Sequence, residues 1–313
     1  MDVSLENNSN PLVSVIIPNY NHAKYLDERI QSVLNQTYQN FEVIILDDKS
    51  TDNSIEIINK YRDNPHVTQI VFNEENTGKP CLQWKKGFEL AKGELIWIAE
   101  SDDCCSLNFL EKMVNIHASN DVVVAFCLSQ QIDDEGRLMS TINRGIKEGV
   151  LDGLDFIDKY LGKTCVIVNA SSAIIEKKCI SEIPDDYLNL EAAADWLFWI
   201  EVCRQGSVSF LCEALNFFRF HGENTTKKQA LTGKNYKADK KILDYLLAQH
   251  LITSRSYKES IRFFYNKISL GEYESEQIRE NLMNIYGFNT LLFRIKLLLS
   301  KIINKLDCML WGV

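Results

Sequence analysis

The chain alternates short apolar runs with amphipathic stretches four times within its first hundred residues. Apolar runs rich in β-branched residues suit strands that are buried on both faces of a parallel sheet. The four predicted strands cover residues 12–17, 41–46, 67–72 and 95–99. Strands that alternate with helices form a doubly wound sheet, and ligands of such sheets bind beyond the carboxyl ends of the strands. The sequence therefore predicts an α/β fold with a mostly parallel central sheet flanked by helices.

The second half of the chain changes from mixed to purely helical patterning. Strands are predicted at 122–129 and 171–176, a helix at 193–204, and a strand pair across 207–220 that breaks near Cys212. From residue 229 onward the periodicity predicts helices alone, at 242–251, 257–268, 276–283 and 290–306. Residues 229–313 hold 13 basic and 8 acidic side chains, against 21 and 35 in residues 1–228. These contrasts predict two domains, 1–228 and 229–313.

Charge and cysteine usage exclude several classes of protein. The net charge of −9 argues against a nucleic-acid binder, which needs a basic face. The nine cysteines are odd in number and include no C-x-x-C pair, so reduced thiols are expected rather than a disulfide framework or a zinc site. The sequence has no signal peptide at its start and no apolar run of membrane-spanning length. These features predict a cytoplasmic protein.

Two aspartates, Asp47 and Asp48, end the second predicted strand. A carboxylate at the end of a buried strand loses hydration unless a donor is supplied. One of the two, Asp48 in particular, can cap the helix expected to begin near Asp52. One cap needs one acceptor, so the other carboxylate is expected to bind donors of a ligand, such as a nucleoside base or a ribose.

Three carboxylates follow the fourth predicted strand within four residues, at Glu100, Asp102 and Asp103. Like charges this close raise one another's pKa unless a cation neutralises them. Oxygen ligands suit Mg²⁺ or Mn²⁺, particularly when diphosphate oxygens complete the coordination shell. The alternative is a solvated turn that caps a helix beginning near Ser106.

Two common nucleotide-binding motifs are absent from the sequence. A dinucleotide-binding domain needs G-x-G-x-x-G after its first strand, and here residues 18–21 read Pro-Asn-Tyr-Asn. A Walker phosphate loop needs G-x-x-x-x-G-K-[ST], which does not occur. A phosphate-receiver domain would be far shorter and would leave the second half of the chain unexplained.

Four segments, in their order along the chain, resemble the family 2 glycosyltransferases of the bacterial surface-polysaccharide type. These are inverting enzymes with a GT-A fold. The segments are SVIIPNYN (14–21), FEVIILDDKSTDNS (41–54), NTG (76–78) and GELIWIAESDD (93–103). The resemblance extends from about residue 12 to residue 226. It implies that residues 1–228 form a nucleotide-sugar-binding catalytic domain. Many members read Leu-Asp-x-Asp-Asp where this chain reads AESDD at 99–103, with Glu100 in place of the first aspartate.

The resemblance implies a donor site built from the turns after the first strands. Pro18 and Tyr20 would flank the nucleotide base, with Tyr20 stacking on it, and Asp47 would accept from the ring N–H. Asp48 and Gly78 belong to the same implied site. A ring face and a carboxylate together can recognise uracil or thymine, so the expected donor is a UDP- or dTDP-sugar.

The resemblance also implies a site for Mn²⁺ or Mg²⁺. Asp102, with Asp103 or Glu100 near it, would hold the ion that bridges the donor diphosphate. Asp102 therefore belongs to the implied donor site as well as to the implied metal site. His221, in the segment RFHGENTT (219–226), would reach the metal or the pyrophosphate. The remaining histidines are interpreted as structural: His22, His66, His117 and His250.

Inverting transfer needs a further carboxylate that deprotonates the acceptor hydroxyl. Asp195 is the predicted base, because family members carry an acidic residue before a helix with aromatic residues. Glu191, which precedes three alanines, is the second candidate. The alternative for Asp195 is a first-turn acid that is stabilised by the helix dipole.

The predicted function is therefore transfer of a sugar to a glycan or lipid-linked acceptor in cell-surface polysaccharide synthesis. The alternative is a nucleotide-sugar-binding partner protein that has lost catalysis. In the predicted helix at 290–306, apolar residues form one stripe with basic residues beside it. Such a helix favours peripheral contact with an anionic membrane on its cytoplasmic face, and the alternative is a helix that packs on protein.

Overall fold

The computed structural model describes residues 10–118, 121–221 and 229–288. Its strands are β1 (Val13–Asn19), β2 (Phe41–Asp47), β3 (Val67–Phe72), β4 (Leu95–Ile98), β5 (Cys104–Cys105), β6 (Val122–Ile132), β7 (Leu138–Ile142), β8 (Gly149–Leu151), β9 (Ala173–Glu176) and β10 (Ser207–Arg219). Its helices are α1 (Ala23–Leu34), α2 (Ser54–Asn59), α3 (Pro80–Leu90), α4 (Phe109–His117), α5 (Gly153–Phe156), α6 (Lys177–Ile180), α7 (Ala194–Cys203), α8 (Lys234–Ala248), α9 (Ser254–Leu270) and α10 (Glu276–Ile285). The four strands predicted in the first hundred residues are present, with ends shifted by no more than two residues.

The described residues divide into two compact units. One unit, here the sheet unit, holds residues 10–118, 121–161, 165–190 and 194–221. The other, the helical unit, holds residues 162–164, 191–193 and 229–288. The short excursions at 162–164 and 191–193 mean that the two units are not separated by a single cut along the chain.

All ten strands of the described chain belong to one sheet, ordered β3-β2-β1-β4-β9-β6-β10-β5, with β7 beside β6 and β8 beside β10. The first four strands are parallel, as predicted. β9 lies antiparallel between β4 and β6, and β6 pairs in parallel with β10. The carboxyl ends of β1, β2 and β4 therefore lie at the same sheet edge.

The strand pair predicted across residues 207–220 is wrong. The structure has one long strand, β10, whose register against β6 shifts between Leu211 and Ala214. A bulge keeps a strand paired while it bends. An irregularity near Cys212 therefore marks a bulge rather than a turn.

The centre of the sheet is buried on both faces because helices cover it, whereas β3, which the sequence also predicts to be buried, is half-buried at the edge of the sheet. Every residue of β1 and of β2 is buried. On α1, Leu26, Ile30 and Val33 join the core cluster against these strands. α3 approaches β1 so closely that a Cβ on Gly87 would lie 2.5 Å from the Ile16 side chain. Only glycine fits at that contact, and it fixes the depth at which α3 packs.

The helical unit consists of α8, α9 and α10 with their own small core. Buried apolar side chains line it, including Leu246 on α8, Phe264 on α9 and Leu282 on α10. No helix among the described residues has the length and hydrophobicity needed to cross a membrane. The predicted terminal helix at 290–306 and the GENTT segment at 222–226 lie outside the described residues.

Candidate active site

The pairing of β1 with β2 brings the first two turns of the site together. Asn19, the last residue of β1, lies opposite Asp47, the last residue of β2. The Asn19 amide donates to Asp47 Oδ2 at 2.8 Å, and Ser50 donates to the same carboxylate from its main-chain N–H at 2.8 Å and from its hydroxyl at 2.6 Å. Asp47 is 1% exposed. Protein donors thus occupy both oxygens of Asp47. Its contact with a base N–H, which the resemblance implies, stays a prediction.

Tyr20 follows this buried network directly and has the opposite character. Pro18 is buried in β1, whereas the Tyr20 side chain is 45% exposed at the sheet edge. The turn continues through Asn21, which adopts φ +58°, a conformation that asparagine tolerates better than most residues. Asn21 accepts from the main-chain N–H of Thr51 at 2.7 Å, which ties the two turns together. An aromatic ring face is thus available beside the ends of β1 and β2.

Asp48 does not cap the helix after β2, so that expectation is wrong. Its carboxylate instead accepts from the Asn73 amide at 2.8 Å, from the main-chain N–H of Thr77 at 3.0 Å and from the Gln83 amide at 2.8 Å. It therefore fixes the NTG loop against α3. Within that loop Gly78 is exposed and adopts φ +66°.

The helix after β2 has other residues at its start. Asn53 occupies the N-cap position of α2 without a side-chain cap, and Asp52 accepts from the main-chain N–H of Ser54 at 3.0 Å. The local cap is therefore supplied by Asp52, which leaves Asp48 for the loop contact.

The end of β4 and the end of β10 meet at Asp102 and His221. His221 Nε2 lies 3.0 Å from Asp102 Oδ2, and this hydrogen bond together with the Asp102 charge raises the pKa of His221. Burial alone would raise the pKa of Asp102, but the hydrogen bond from His221 and the nearby His22 and His221 rings outweigh it, so the pKa is lowered. One ligand atom each from His22, Asp102 and His221 lies within 4.8 Å of the others. The donor set of two imidazoles and one carboxylate fits a divalent cation.

The other two carboxylates after β4 face elsewhere. Asp103 is fully buried and accepts from the Asn169 amide at 2.8 Å, from the Ser171 hydroxyl at 2.8 Å and from the main-chain N–H of Arg219 at 3.0 Å. Arg29, also buried, lies 3.7 Å from it. The structure therefore gives Asp103 a supporting position behind Asp102 and does not bring it into the His22–Asp102–His221 cluster.

Glu100 is held by α3 rather than by the cluster. Its carboxyl group accepts from Trp84 Nε1 at 2.9 Å. Burial, with the charges of Asp102 and Asp103, raises the pKa of Glu100 to about 8. A carboxyl group with this pKa is mostly protonated at neutral pH. The alternative of a solvated turn at 100–103 is wrong, because this turn is packed into the sheet unit.

Asp195 lies in the first turn of α7, and burial raises its pKa. Among the described residues no side chain donates a hydrogen bond to its carboxylate. The charges of Asp195 and Glu100 both act on the thiol of Cys81 in the first turn of α3, whose pKa burial already raises. Asp195 therefore lies near the first turn of α3. The residue before α7, Ala193, adopts φ +55°, a conformation that is rare for alanine.

Glu191 has a different environment from Asp195. Its side chain is 75% exposed and lies 3.3 Å from Lys234 Nζ, within the helical unit. The two predicted base candidates thus differ in burial and belong to different units.

Comparison with known proteins assigns the family. The family model described as Glycosyl transferase family 2 matches residues 14–179. The chain belongs to this family. The match covers the strand ends that carry Tyr20, Asp47 and Asp102, and the resemblance stated from the motifs is confirmed.

Curated relatives of this family 2 chain are glycosyltransferases. An uncharacterized glycosyltransferase of Haemophilus influenzae is 32% identical over 214 residues, which are 67% of this chain and 79% of that protein. The Bacillus subtilis protein TuaG, named for teichuronic acid biosynthesis, is 34% identical over 119 residues, which are 38% of this chain and 47% of that protein. The chain spans less than half the length of several other relatives, and 29% in one case.

Solved structures show the fold of the family 2 chain. Staphylococcus aureus TarS 1–349 in complex with UDP-GlcNAc superimposes with a TM-score of 0.59 at 20% identity, over 89% of this chain and 73% of that chain. The mannosyltransferase PcManGT of Pyrobaculum calidifontis, in complex with GDP-Man and Mn²⁺, superimposes with a TM-score of 0.54 at 16% identity. The superposition covers 96% of this chain and 88% of that chain. The predicted GT-A fold with a helical C-terminal segment is confirmed.

Sequence reasoning missed His22, which it interpreted as structural. The residue follows the PNYN turn at the end of β1, and its ring stacks edge-on against His221 with centroids 5.8 Å apart. A signal was present, because a histidine one residue beyond a strand-end motif lies at the ligand-binding edge of such a sheet.

Proposed function

We propose that this chain is an inverting glycosyltransferase that uses a UDP- or dTDP-sugar and a glycan or lipid-linked acceptor, in cell-surface polysaccharide synthesis. The observation that carries the proposal is the Asp102–His221 pair at the same sheet edge as the exposed ring of Tyr20. The UDP-GlcNAc complex of TarS supports a uridine donor, and the name of TuaG supports a polysaccharide product.

Each residue has a part in the proposed reaction. Tyr20 stacks on the base and Asp47 accepts from its N–H, while Asp48 holds the NTG loop and its Gly78 at the donor. Asp102 and His221 would hold Mn²⁺ or Mg²⁺, which neutralises charge on the departing nucleoside diphosphate.

Asp195 is the proposed base. Its ionised carboxylate accepts the proton of the acceptor hydroxyl, whose oxygen forms a bond to the anomeric carbon as the bond to the diphosphate breaks. Attack opposite the leaving group inverts the anomeric configuration. Main-chain N–H groups at the start of α7 interact with the Asp195 carboxylate, and no described side chain donates to it.

A panel of nucleotide sugars with Mn²⁺, scored by thermal unfolding, tests the donor. A bound donor stabilises the folded chain by mass action, and Tyr20→Ala should lose this shift while Tyr20→Phe keeps it. The selected donor is then incubated with lipid-linked and glycan acceptors, with and without chelator, and the new linkage is assigned by proton NMR. A donor shift without transfer or hydrolysis would favour the inactive partner protein, and full activity in excess chelator would contradict the metal.

The proposal places the enzyme on the cytoplasmic face of an anionic membrane, held by the helix predicted at 290–306. Within the helical unit, α9 presents Arg255, Lys258 and Arg262 to solvent. Two apolar side chains are also exposed on α9, Phe263 at 39% and Leu270 at 85%. Basic residues beside exposed apolar ones suit an anionic interface. Such contact would confine the enzyme to the surface that carries a lipid-linked acceptor.

A further inference from the structure

His22 occupies the start of α1 but does not cap it. It is the N-cap residue, and its side chain makes no capping hydrogen bond. His22 contributes to the helix only through its main-chain carbonyl, which accepts from the N–H groups of Tyr25 and Leu26, each at 2.9 Å. Serine, threonine, asparagine and aspartate are the residues favoured at this position. The imidazole is therefore not explained by the helix it precedes.

The ring of His22 is oriented by Ser101, the residue before Asp102. His22 Nδ1 lies 2.8 Å from Ser101 Oγ, and Ser101 is 1% exposed. With Nδ1–H donating to this hydroxyl, Nε2 carries the lone pair. A hydrogen bond from the other ring nitrogen is what holds a metal-binding histidine in one tautomer and orientation. Ser101 thus gives His22 the support that metal ligands ordinarily have.

The spacing of the cluster also suits one ion. Two adjacent ligands on an octahedral cation, each about 2.1 Å from it, are about 3.0 Å apart. His221 Nε2 and Asp102 Oδ2 are 3.0 Å apart, and a ligand atom of His22 lies within 4.8 Å of both. The rings of His22 and His221 are nearly perpendicular, at 81°. The side chains of His22, Asp102 and His221, which follow β1, β4 and β10, therefore lie close enough together to bind one cation.

We infer that His22 is a third protein ligand of the cation, and that its imidazole makes the site prefer Mn²⁺ to Mg²⁺. Mg²⁺ is bound by oxygen ligands, whereas imidazole nitrogen suits transition metals. A site of Asp102 and His221 has one nitrogen ligand, and His22 adds the second. The inference rests on the proposed function, because it names a ligand of the ion that the transfer would use.

Direct Mn²⁺ binding to the full chain, without donor or acceptor, tests the inference. Free Mn²⁺ is measured by electron paramagnetic resonance during titration of the wild type and of His22→Asn and His22→Gln. Asparagine is a favoured N-cap residue, so His22→Asn preserves the start of α1. His250→Asn is the matched control, since His250 is exposed in the helical unit at φ +57°, which asparagine tolerates. Circular dichroism confirms that each variant is folded.

The expected result is a loss of Mn²⁺ affinity of about tenfold or more in both His22 variants, and none in His250→Asn. Mg²⁺ should displace Mn²⁺ from the wild type poorly and from the His22 variants more readily. Wild-type affinity in both His22 variants, with loss in Asp102→Asn, would overturn the inference and leave the proposed function intact. Unchanged Mn²⁺ binding in Asp102→Asn as well would overturn the metal site itself. Equal competition by Mg²⁺ and Mn²⁺ in the wild type would overturn the selectivity.

Discussion

Arg219 donates through Nε to the main-chain carbonyl of Asp102 at 2.9 Å, and so joins the end of β10 to the turn that follows β4. The Arg219 side chain is almost fully buried, and its Nη1 donates to the main-chain carbonyl of Asp133 at 3.1 Å. Its own main-chain N–H donates to Asp103. Because His221 lies two residues beyond Arg219, this one side chain sets the position of Asp102 relative to His221.

Arg219→Lys should lower both stability and Mn²⁺ affinity. A lysine has no planar fork of donors, so it cannot reach the partly buried carbonyls of Asp102 and Asp133 together. Each hydrogen bond lost is worth about 0.5–1.5 kcal/mol. Urea unfolding and Mn²⁺ titration measure the two effects, with the exposed Arg262→Lys as control. An Arg219→Lys chain with the stability and Mn²⁺ affinity of the wild type would show that the network does not position Asp102.

Asp102→Asn and Asp103→Asn should have different effects, because Asp102 is a proposed ligand of the ion and Asp103 supports the turn that carries it. Asp102→Asn is expected to stay folded and to lose Mn²⁺-dependent donor binding, because a neutral amide is a poor ligand. Asp103→Asn should reduce the free energy of unfolding by about 1–3 kcal/mol, since an amide NH₂ then replaces one carboxylate oxygen that accepts from Asn169 and Ser171 or from the main-chain N–H of Arg219. Urea unfolding and donor thermal shifts are measured on both variants. The reverse pattern would exchange the roles of the two residues.

Asp195→Asn should reduce turnover roughly 100-fold or more with little change in donor affinity, because only the proton acceptor is lost. Glu191→Gln, at an exposed position, is the matched control and should keep near-normal turnover. Turnover and donor KM are measured for both variants under saturating metal. If Glu191→Gln is the inactive variant and Asp195→Asn the active one, the base is Glu191.

The raised pKa of Asp195 also predicts how stability depends on pH. The folded chain holds the Asp195 proton at pH values where the unfolded chain, with a pKa near 3.8, has already released it. This carboxyl group therefore makes the wild type less stable as pH rises from the unfolded pKa through the folded pKa. Asp195→Asn should unfold at a higher temperature than the wild type at neutral pH, and the difference should shrink as pH falls toward about 4. A difference that does not vary with pH would contradict a raised pKa.

Flotation with phosphatidylglycerol vesicles tests membrane contact. The full chain should float at low salt, whereas a chain ending at Gly287 should remain largely in the soluble fraction. Glutamine at Arg255, Lys258 and Arg262 should weaken flotation, because it removes cations that meet anionic headgroups. Vesicles of phosphatidylcholine alone provide the control. If truncation leaves flotation unchanged, the terminal segment is not the membrane element.

The sequence alone was sufficient to predict the fold class and the edge of the sheet that carries the site. Apolar runs of strand length determine which residues are buried on both faces, and β1 to β4 follow them closely. The motifs at 14–21, 41–54 and 93–103 identified the family because their residue types and order are local properties of the chain. Asp102 and His221, which the resemblance names as candidate metal ligands, lie 3.0 Å apart in the structure, although 118 residues separate them in the sequence.

Only the tertiary structure decided how neighbouring carboxylates divide their roles. Asp102 and Asp103 are adjacent in sequence, but successive residues point in different directions, so one meets His221 and the other meets Arg29. Asp48 binds the NTG loop rather than a helix end because α3 brings that loop across the sheet edge. Similarly, His22 joined the cluster through contacts with Ser101 and His221, both distant in the chain. Burial patterns are encoded locally, whereas the partner of a polar side chain depends on which strand ends the sheet order brings together.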